Sequence, residues 1–230
     1  CVNFCTYCII PYARGPVRSL PLETAVEQTT QLCREGYREI VLTGIEISSW
    51  GRDLKTGESL IDLMEAVCRA AGPVRIRLGS LEPRTITEDF CRRAAALPNL
   101  CPQFHLSLQS GCDETLRRMN RKYDTARYVQ SVELLNQYFE HPAITTDLIT
   151  GFPEETEEEF SKTLSFLERC GFCPDAHLPL LHPAGHSGGG YAPGAQGGEG
   201  GAVPSGCGDG GQDAPGLSGG LRGAGVPGAL

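Results

Sequence analysis

From residue 20 to residue 170, short apolar runs alternate with longer amphipathic stretches. The runs are EIVLT (39–43), VRIRLG (74–79), FHLSL (104–108) and ITTDLI (144–149), and their length and apolar content predict strands. Residues 22–35 follow Pro21, place Leu22, Val26, Thr29 and Cys33 on one stripe and stop at Gly36, which predicts a helix. Residues 60–71 (LIDLMEAVCRAA) have helical spacing and end at Gly72-Pro73. Further helices are predicted over 87–96 and over 125–139, the latter with Tyr128, Val132, Leu135 and Phe139 on one stripe. A last one opens at the capping box Thr156-x-x-Glu159 and runs through Phe160, Leu164 and Leu167. Alternation of this kind predicts an α/β fold of parallel strands joined by crossovers, a partial barrel or a doubly wound sheet. Functional residues then belong at the C-terminal ends of the strands.

Composition bounds this domain. Of the 29 glycines, nine lie in residues 1–170 and twenty in the remainder. Residues 173–230 have no periodicity and almost no aliphatic runs, so a disordered Gly-rich tail is expected behind a domain spanning 1–172. No apolar run approaches the roughly eighteen residues of a membrane span, and no leader is recognisable, which points to a cytoplasmic protein away from the membrane. The chain starts without Met, on a residue that is itself a candidate ligand, and is expected to be a piece of a longer protein. Eleven cysteines without a secretory signal predict reduced thiols and metal ligands ahead of disulfides. The net charge of −8 does not advertise nucleic-acid binding.

The chemistry starts in CVNFCTYC. Cys1, Cys5 and Cys8 stand in a CxxxCxxC spacing on a segment with no predicted regular structure, and three soft thiolates on one loop are a metal-ligand set. Iron–sulfur clusters are usually held by four cysteines, so a local set of three leaves a position open for chemistry. A zinc knuckle with a distant fourth ligand is the competing reading. Cys33, Cys68, Cys91, Cys101 and Cys112 are scattered and expected to be reduced bystanders. Cys170 and Cys173 form a CxxC that follows a helix instead of opening one, which argues against a redox pair.

The cysteine spacing, with the aromatic Tyr7 before the last cysteine, resembles the radical S-adenosylmethionine (SAM) enzymes. The segments PYARGPVRS (11–19), IVLTGIEISSWG (40–51), RLGSLEP (77–83), HLSLQSGCDETLRRMNRKY (105–123) and TTDLITGFPEETEEEF (145–160) resemble the methylthiotransferases of that superfamily. GPVRS and LGSLEP lean toward the type acting on threonylcarbamoyl-adenosine at position 37 of tRNA; the relative acting on isopentenyl-adenosine is the other version. The resemblance implies a radical SAM partial barrel, here incomplete at both ends. It implies a 4Fe-4S cluster on Cys1, Cys5 and Cys8 that cleaves SAM reductively, and a 5′-deoxyadenosyl radical that takes hydrogen from carbon 2 of adenine. It further implies a second 4Fe-4S cluster in a separate N-terminal domain, a reductant such as flavodoxin or ferredoxin, tRNA as partner, and action as a monomer. A non-catalytic zinc module and an inactive fragment are the readings from other classes.

Strand ends supply the candidate SAM contacts: Gly44 and Glu46, Ser80 and Glu82, Ser107 and Gln109, and Asp147 and Gly151, with Tyr7 from the cysteine loop. A carboxylate at Glu46 suits the SAM ammonium, and Gly44 and Gly151 allow close backbone approach. Arg117, Arg118, Arg121 and Lys122 form a basic cluster, either a solvated helix face or a contact for RNA phosphates. Arg14 and Arg18 are candidates for the SAM carboxylate or the RNA, and His105 is expected to pack within its strand. Glu154 stands where the commoner family wording, GFPGET, has glycine, which is expected to tighten or distort that turn.

After the last predicted helix a barrel needs another strand, and residues 174–181 (PDAHLPLL) oppose one with two prolines. The bases CCA GAT GCA CAT CTT CCC CTA CTC encode that octapeptide. Read one base later, and followed by C, they encode QMHIFPYS, close to the strand the family has there. The tail is therefore expected to be an out-of-frame translation.

Overall fold

The structure is a computed structural model that describes residues 1–170 and Phe172. The expected tail, the out-of-frame segment and Cys173 lie outside the described residues. No described helix is long and apolar enough to cross a membrane.

After a short helix α1 (Ile10–Arg14), strands and helices alternate as α2 (Leu22–Arg34), β1 (Glu39–Leu42), α3 (Leu60–Ala71), β2 (Arg75–Leu78) and α4 (Glu88–Ala95), then β3 (Gln103–His105), α5 (Asp113–Arg118), α6 (Thr125–Tyr138), β4 (Ala143–Thr145) and α7 (Glu157–Cys170). The helix starts follow from side chains that satisfy the free N–H groups of the first turn. Thr87 accepts from Phe90 N at 3.2 Å, so it is the cap of α4 and not its first residue. Asp124 caps α6 at Arg127 N. Ser59 with Asp62, and Thr156 with Glu159, form reciprocal boxes at α3 and α7.

All strand pairs are parallel. β1 pairs β2 in the register Glu39–Arg75 through Leu42–Leu78, and β3 pairs β4 in the register Gln103–Ala143 through His105–Thr145. Two parallel bridges, Ile76–Leu100 and Leu81–Leu106, join the two pairs: Ile76 N donates to Asn99 O at 2.9 Å and Cys101 N to Ile76 O at 2.8 Å, while Leu81 N donates to His105 O at 2.8 Å and Ser107 N to Leu81 O at 3.1 Å. The four strands thus lie side by side in chain order. The regular ladders are shorter than the apolar runs predicted, but bridge bonds continue beyond them: Leu106 N donates to Thr145 O and Gln109 N to Asp147 O, both at 2.9 Å.

Side chains alternate across this sheet. Ile40, Ile76, Leu78, Phe104, Leu106 and Ile144 are buried on one face, where α3 packs against β2, α2 and α4. Full burial of each such side chain is worth about 1.5–3 kcal/mol before the entropy of ordering it. The opposite face carries a polar row. Arg77 Nε donates to Glu39 Oε1 at 2.8 Å, Gln103 Nε2 to Thr145 Oγ1 at 3.2 Å, and His105 lies 3.0 Å from Thr145 Oγ1 and 3.2 Å from Asp147 Oδ2.

One amphipathic stripe needs correction. In α7 the buried residues are Glu159, Thr163 and Phe166, whereas Leu164 is 46% exposed. The helix is turned this way by partners distant in sequence. Arg118 holds the Glu159 carboxylate at 2.6 and 2.9 Å, and Thr163 Oγ1 accepts from Gly111 N and pairs with Ser110 Oγ, both at 3.2 Å. Unpaired, those polar groups would be costly to bury; paired, they outrank the local hydrophobic pattern.

Candidate functional site

The cysteine loop lies across the segment that follows β3. Residues 1–9 are irregular apart from a turn at Thr6–Tyr7, closed by Cys8 N donating to Cys5 O at 3.0 Å. Cys1, Cys5 and Cys8 are free and half-buried. Their sulfurs do not converge: among the described residues, no three His, Cys, Asp or Glu side chains are grouped to hold one metal ion. A zinc knuckle needs its ligands to meet around one atom. A cubane asks less, because each thiolate binds a different iron.

Residues 118–121 fasten this loop. Thr6 N donates to Met119 O at 3.2 Å, Thr6 Oγ1 to Arg118 O at 3.0 Å, and Asn120 Nδ2 to Phe4 O at 2.8 Å. Tyr7 packs on Met119, Ile149 and Phe152, its ring edge-on to Phe152 at 6.3 Å between centroids. Burial pushes the Tyr7 hydroxyl well above its usual range, so it stays protonated. Arg121 reaches inward, its Nη1 3.3 Å from Cys5 Sγ and 3.4 Å from Tyr7 Oη, and its Nε 2.9 Å from Tyr123 Oη.

Beyond β1, Glu46 faces the loop. Cys1 Sγ donates to Glu46 Oε2 at 3.5 Å, while Glu46 Oε1 is buried without a hydrogen-bond partner. A buried carboxylate oxygen left without a partner costs about 1–3 kcal/mol or more, a cost that a donor reaching it would remove. The ammonium of SAM beside a cluster on Cys1 has that chemistry, and the residues present fit both groups. Gly44 precedes Glu46 in the same connection.

The other strand ends divide. Ser80 is exposed and free for a ligand, and Ser107 is half-buried, its carbonyl accepting from the Tyr123 hydroxyl. Glu82 is 6% exposed and already held by Arg84, at 2.9 and 3.0 Å. Gln109 is buried and takes the left-handed conformation (φ 72°), locked by Gln109 N to Asp147 O and Ile149 N to Gln109 O, both 2.9 Å. Strain of that kind persists where its surroundings over-determine it. Asp147 shares its carboxylate with His105, a pairing between adjacent strands that sequence alternation alone could not register. Gly151 (φ 68°) turns the chain and donates to Glu155 Oε2 at 2.8 Å. Glu154 adopts φ 66°, a left-handed conformation that a glycine takes without a Cβ penalty.

The four basic residues do not form one surface. Arg117 and Lys122 are exposed. Arg118 is committed to Glu159, whose carboxyl it holds down at about 2, and Arg121 to the cysteine loop. Adjacent numbering suggested a shared face, but α5 ends at Arg118 and the chain then turns. Arg14 and Arg18 are exposed beside the loop. Cys68, Cys91, Cys101 and Cys112 are buried, and desolvation pushes the thiols of Cys68 and Cys91 up to about 11, away from reactivity.

Comparisons with known proteins bear on the family and the fold. The chain is 41% identical over 168 residues to the tRNA-2-methylthio-N(6)-dimethylallyladenosine synthase of Clostridium botulinum (strain Loch Maree / Type A3), covering 73% of this chain and 37% of that protein. It is 39% identical over 173 residues to the threonylcarbamoyladenosine tRNA methylthiotransferase MtaB of Thermotoga maritima, covering 75% of this chain and 39% of the relative. The chain thus spans less than two fifths of the length of either. Among solved structures, the cobalamin-dependent SAM radical enzyme OxsB superposes with TM-score 0.55 at 13% identity, over 72% of this chain and 24% of the other. Coproporphyrinogen III oxidase (HemN) of Escherichia coli gives 0.51 at 16%, over 66% and 35%. The family profile described as the radical SAM superfamily matches residues 1–167. With its cysteine loop seated at the ends of parallel strands, this chain belongs to the radical SAM superfamily.

Proposed function

We propose that this chain is the radical SAM core of a tRNA methylthiotransferase, which adds a methylthio group to carbon 2 of an N6-modified adenosine at position 37. The observation that carries the reading is the unpartnered Glu46 Oε1, buried beside Cys1 at the end of a parallel strand. Cys1, Cys5 and Cys8 would hold the 4Fe-4S cluster, and Glu46 the amino group of SAM. Bound there, the two together supply one-electron cleavage of the sulfonium, with a flavodoxin- or ferredoxin-type reductant as electron donor. The protein's own part is placement: Tyr7 anchors the loop edge-on against Phe152, and the residue 118–121 segment fixes its path. The cofactors bring the difficult chemistry and the fold brings orientation. Threonylcarbamoyl-adenosine is the substrate we favour, supported by the GPVRS and LGSLEP segments; the 41% identity to a dimethylallyladenosine synthase supports the other version. The protein works in the cytoplasm, on tRNA, as a monomer.

Anaerobic reconstitution tests the core of the reading. About four irons per chain, and 5′-deoxyadenosine on reduction with SAM, are expected. Tight zinc binding with no SAM cleavage would overturn it. Mass spectrometry of tRNA nucleosides from cells with and without the complete gene separates the two substrates.

A further inference from the structure

Arg121 poses a charge problem. Its guanidinium is half-buried, lies 4.8 Å from the centroid of the Tyr123 ring, and is always cationic. Among the described residues, no carboxylate lies within ion-pair distance of it, whereas Arg77, Arg84, Arg93 and Arg118 each have one. Its neighbours are two tyrosine hydroxyls and the sulfur of Cys5. Tyr123 cannot be the counter-charge: burial holds its hydroxyl protonated, and it donates to Leu108 O at 2.8 Å. A half-buried cation is stabilised by an anion that faces it. The group that faces it from the cysteine loop is the sulfur of Cys5, 3.3 Å from Nη1.

We propose that Arg121 is the positioning cation of the iron–sulfur centre: it pairs with the Cys5 thiolate and raises the reduction potential of the cluster. The inference rests on the radical SAM reading above. Adding an electron to a cluster held by three thiolates makes it more negative, and a fixed guanidinium against one sulfur stabilises the added charge. Hydrogen bonds to cluster sulfurs and local net charge are the levers by which proteins set such potentials. Arg121 is itself fixed. Its Nε contacts Tyr123 Oη at 2.9 Å, and that hydroxyl is anchored on the carbonyls of Ser107 and Leu108. The charge is therefore tied to the end of β3, so cluster electrostatics and strand geometry move together. Met119 and Asn120 act differently, holding the loop by its backbone and bringing no charge to the sulfur.

The test uses the full chain, reconstituted anaerobically, with Arg121→Gln, Arg121→Met, Arg121→Lys and Asn120→Ala. Iron content and the midpoint potential, the latter from dye-mediated titration followed by electron paramagnetic resonance, are the readouts. We expect the two neutral Arg121 variants to keep iron but become reduced only at more negative potential. Arg121→Lys should stay closer to the parent. Asn120→Ala should lose iron faster while whatever cluster remains keeps the parental potential. Equal potentials in parent and neutral variants, at equal iron content, would overturn the proposal. Should the neutral variants fail to hold iron, Arg121→Lys decides: a retained cluster near the parental potential supports the charge. Loss of iron in all three overturns it, leaving Arg121 as a fastener. A parent chain that binds no cluster overturns the functional reading itself, and this inference with it.

Discussion

Gly111, in the segment after β3, packs tightly against α7. A Cβ built there would lie 2.7 Å from Phe166 Cβ and 3.0 Å from Cγ and Cδ1 of the same ring. The nearest atom is the Cβ, which is fixed to the α7 backbone, so a rotamer change cannot relieve the clash and the helix itself must move. Phe166 is 5% exposed and stacks edge-on with Tyr128 at 5.9 Å, so it has no room to retreat. Overpacking of this kind costs about 1–3 kcal/mol. Gly111 is not in the left-handed region, so alanine strains no backbone there and recovers about 0.4–1 kcal/mol through the unfolded chain. Gly111→Ala is therefore expected to lose about 1–2 kcal/mol net. With a urea slope of about 2 kcal/mol/M, the midpoint falls by about 0.5–1 M. Moving α7 also stretches the Gly111–Thr163 and Arg118–Glu159 contacts, so amide exchange over 157–170 should accelerate. Because Phe166→Ala keeps the Cβ, Gly111→Ala should remain destabilising in that background. An unchanged midpoint together with unchanged exchange in α7 would refute the reasoning.

The Glu159 carboxyl is lowered from 4.5 to about 2, by Arg118 first. A depressed carboxyl contributes stability above its unfolded value, and that contribution is lost as pH falls from about 4.5 toward 2. Glu159→Gln should therefore flatten the acid limb of a pH–stability curve, and an unaltered limb counts against the pair. Glu154→Gly should stabilise by up to about 1 kcal/mol, measured by thermal melting, because glycine takes the observed φ of 66° without penalty. Replacing exposed Arg117 and Lys122 with Ala in the complete enzyme should reduce the salt slope of tRNA binding by about 2; an unaltered slope assigns them to a solvated surface. We propose, finally, that the residues after 172 are read out of frame. The coding DNA should yield MHIFPYS from a single-base shift near codon 173, and an uninterrupted frame that cannot do so refutes the idea.

The strands and most helices were legible because their periodicity coincides with burial: Tyr128, Val132 and Leu135 line α6 as their spacing predicts. The α7 stripe was not, because Glu159 and Thr163 are buried by partners about 41 and 53 positions away in sequence. The family was legible from three cysteines, an aromatic and the strand-end segments. The inward aim of Arg121 was not, since a short basic run looks alike whether it faces solvent or a thiolate. His105 and Asp147 were each singled out for separate reasons. Their pairing depends on the register of β3 against β4, which neither segment encodes alone.

The bond from Arg121 to Cys5 spans 116 positions of chain. Closing so long a loop is entropically costly, and contacts of large separation form late in folding. The cysteine loop leaves the ribosome well before the residues that hold it, and the strands between must pair first. Its sulfurs are then without the Arg121 guanidinium until residue 121 has emerged. Folding follows from this as a sequence in time: the parallel sheet assembles, and only then can the residue 118–121 turn capture the cysteine loop.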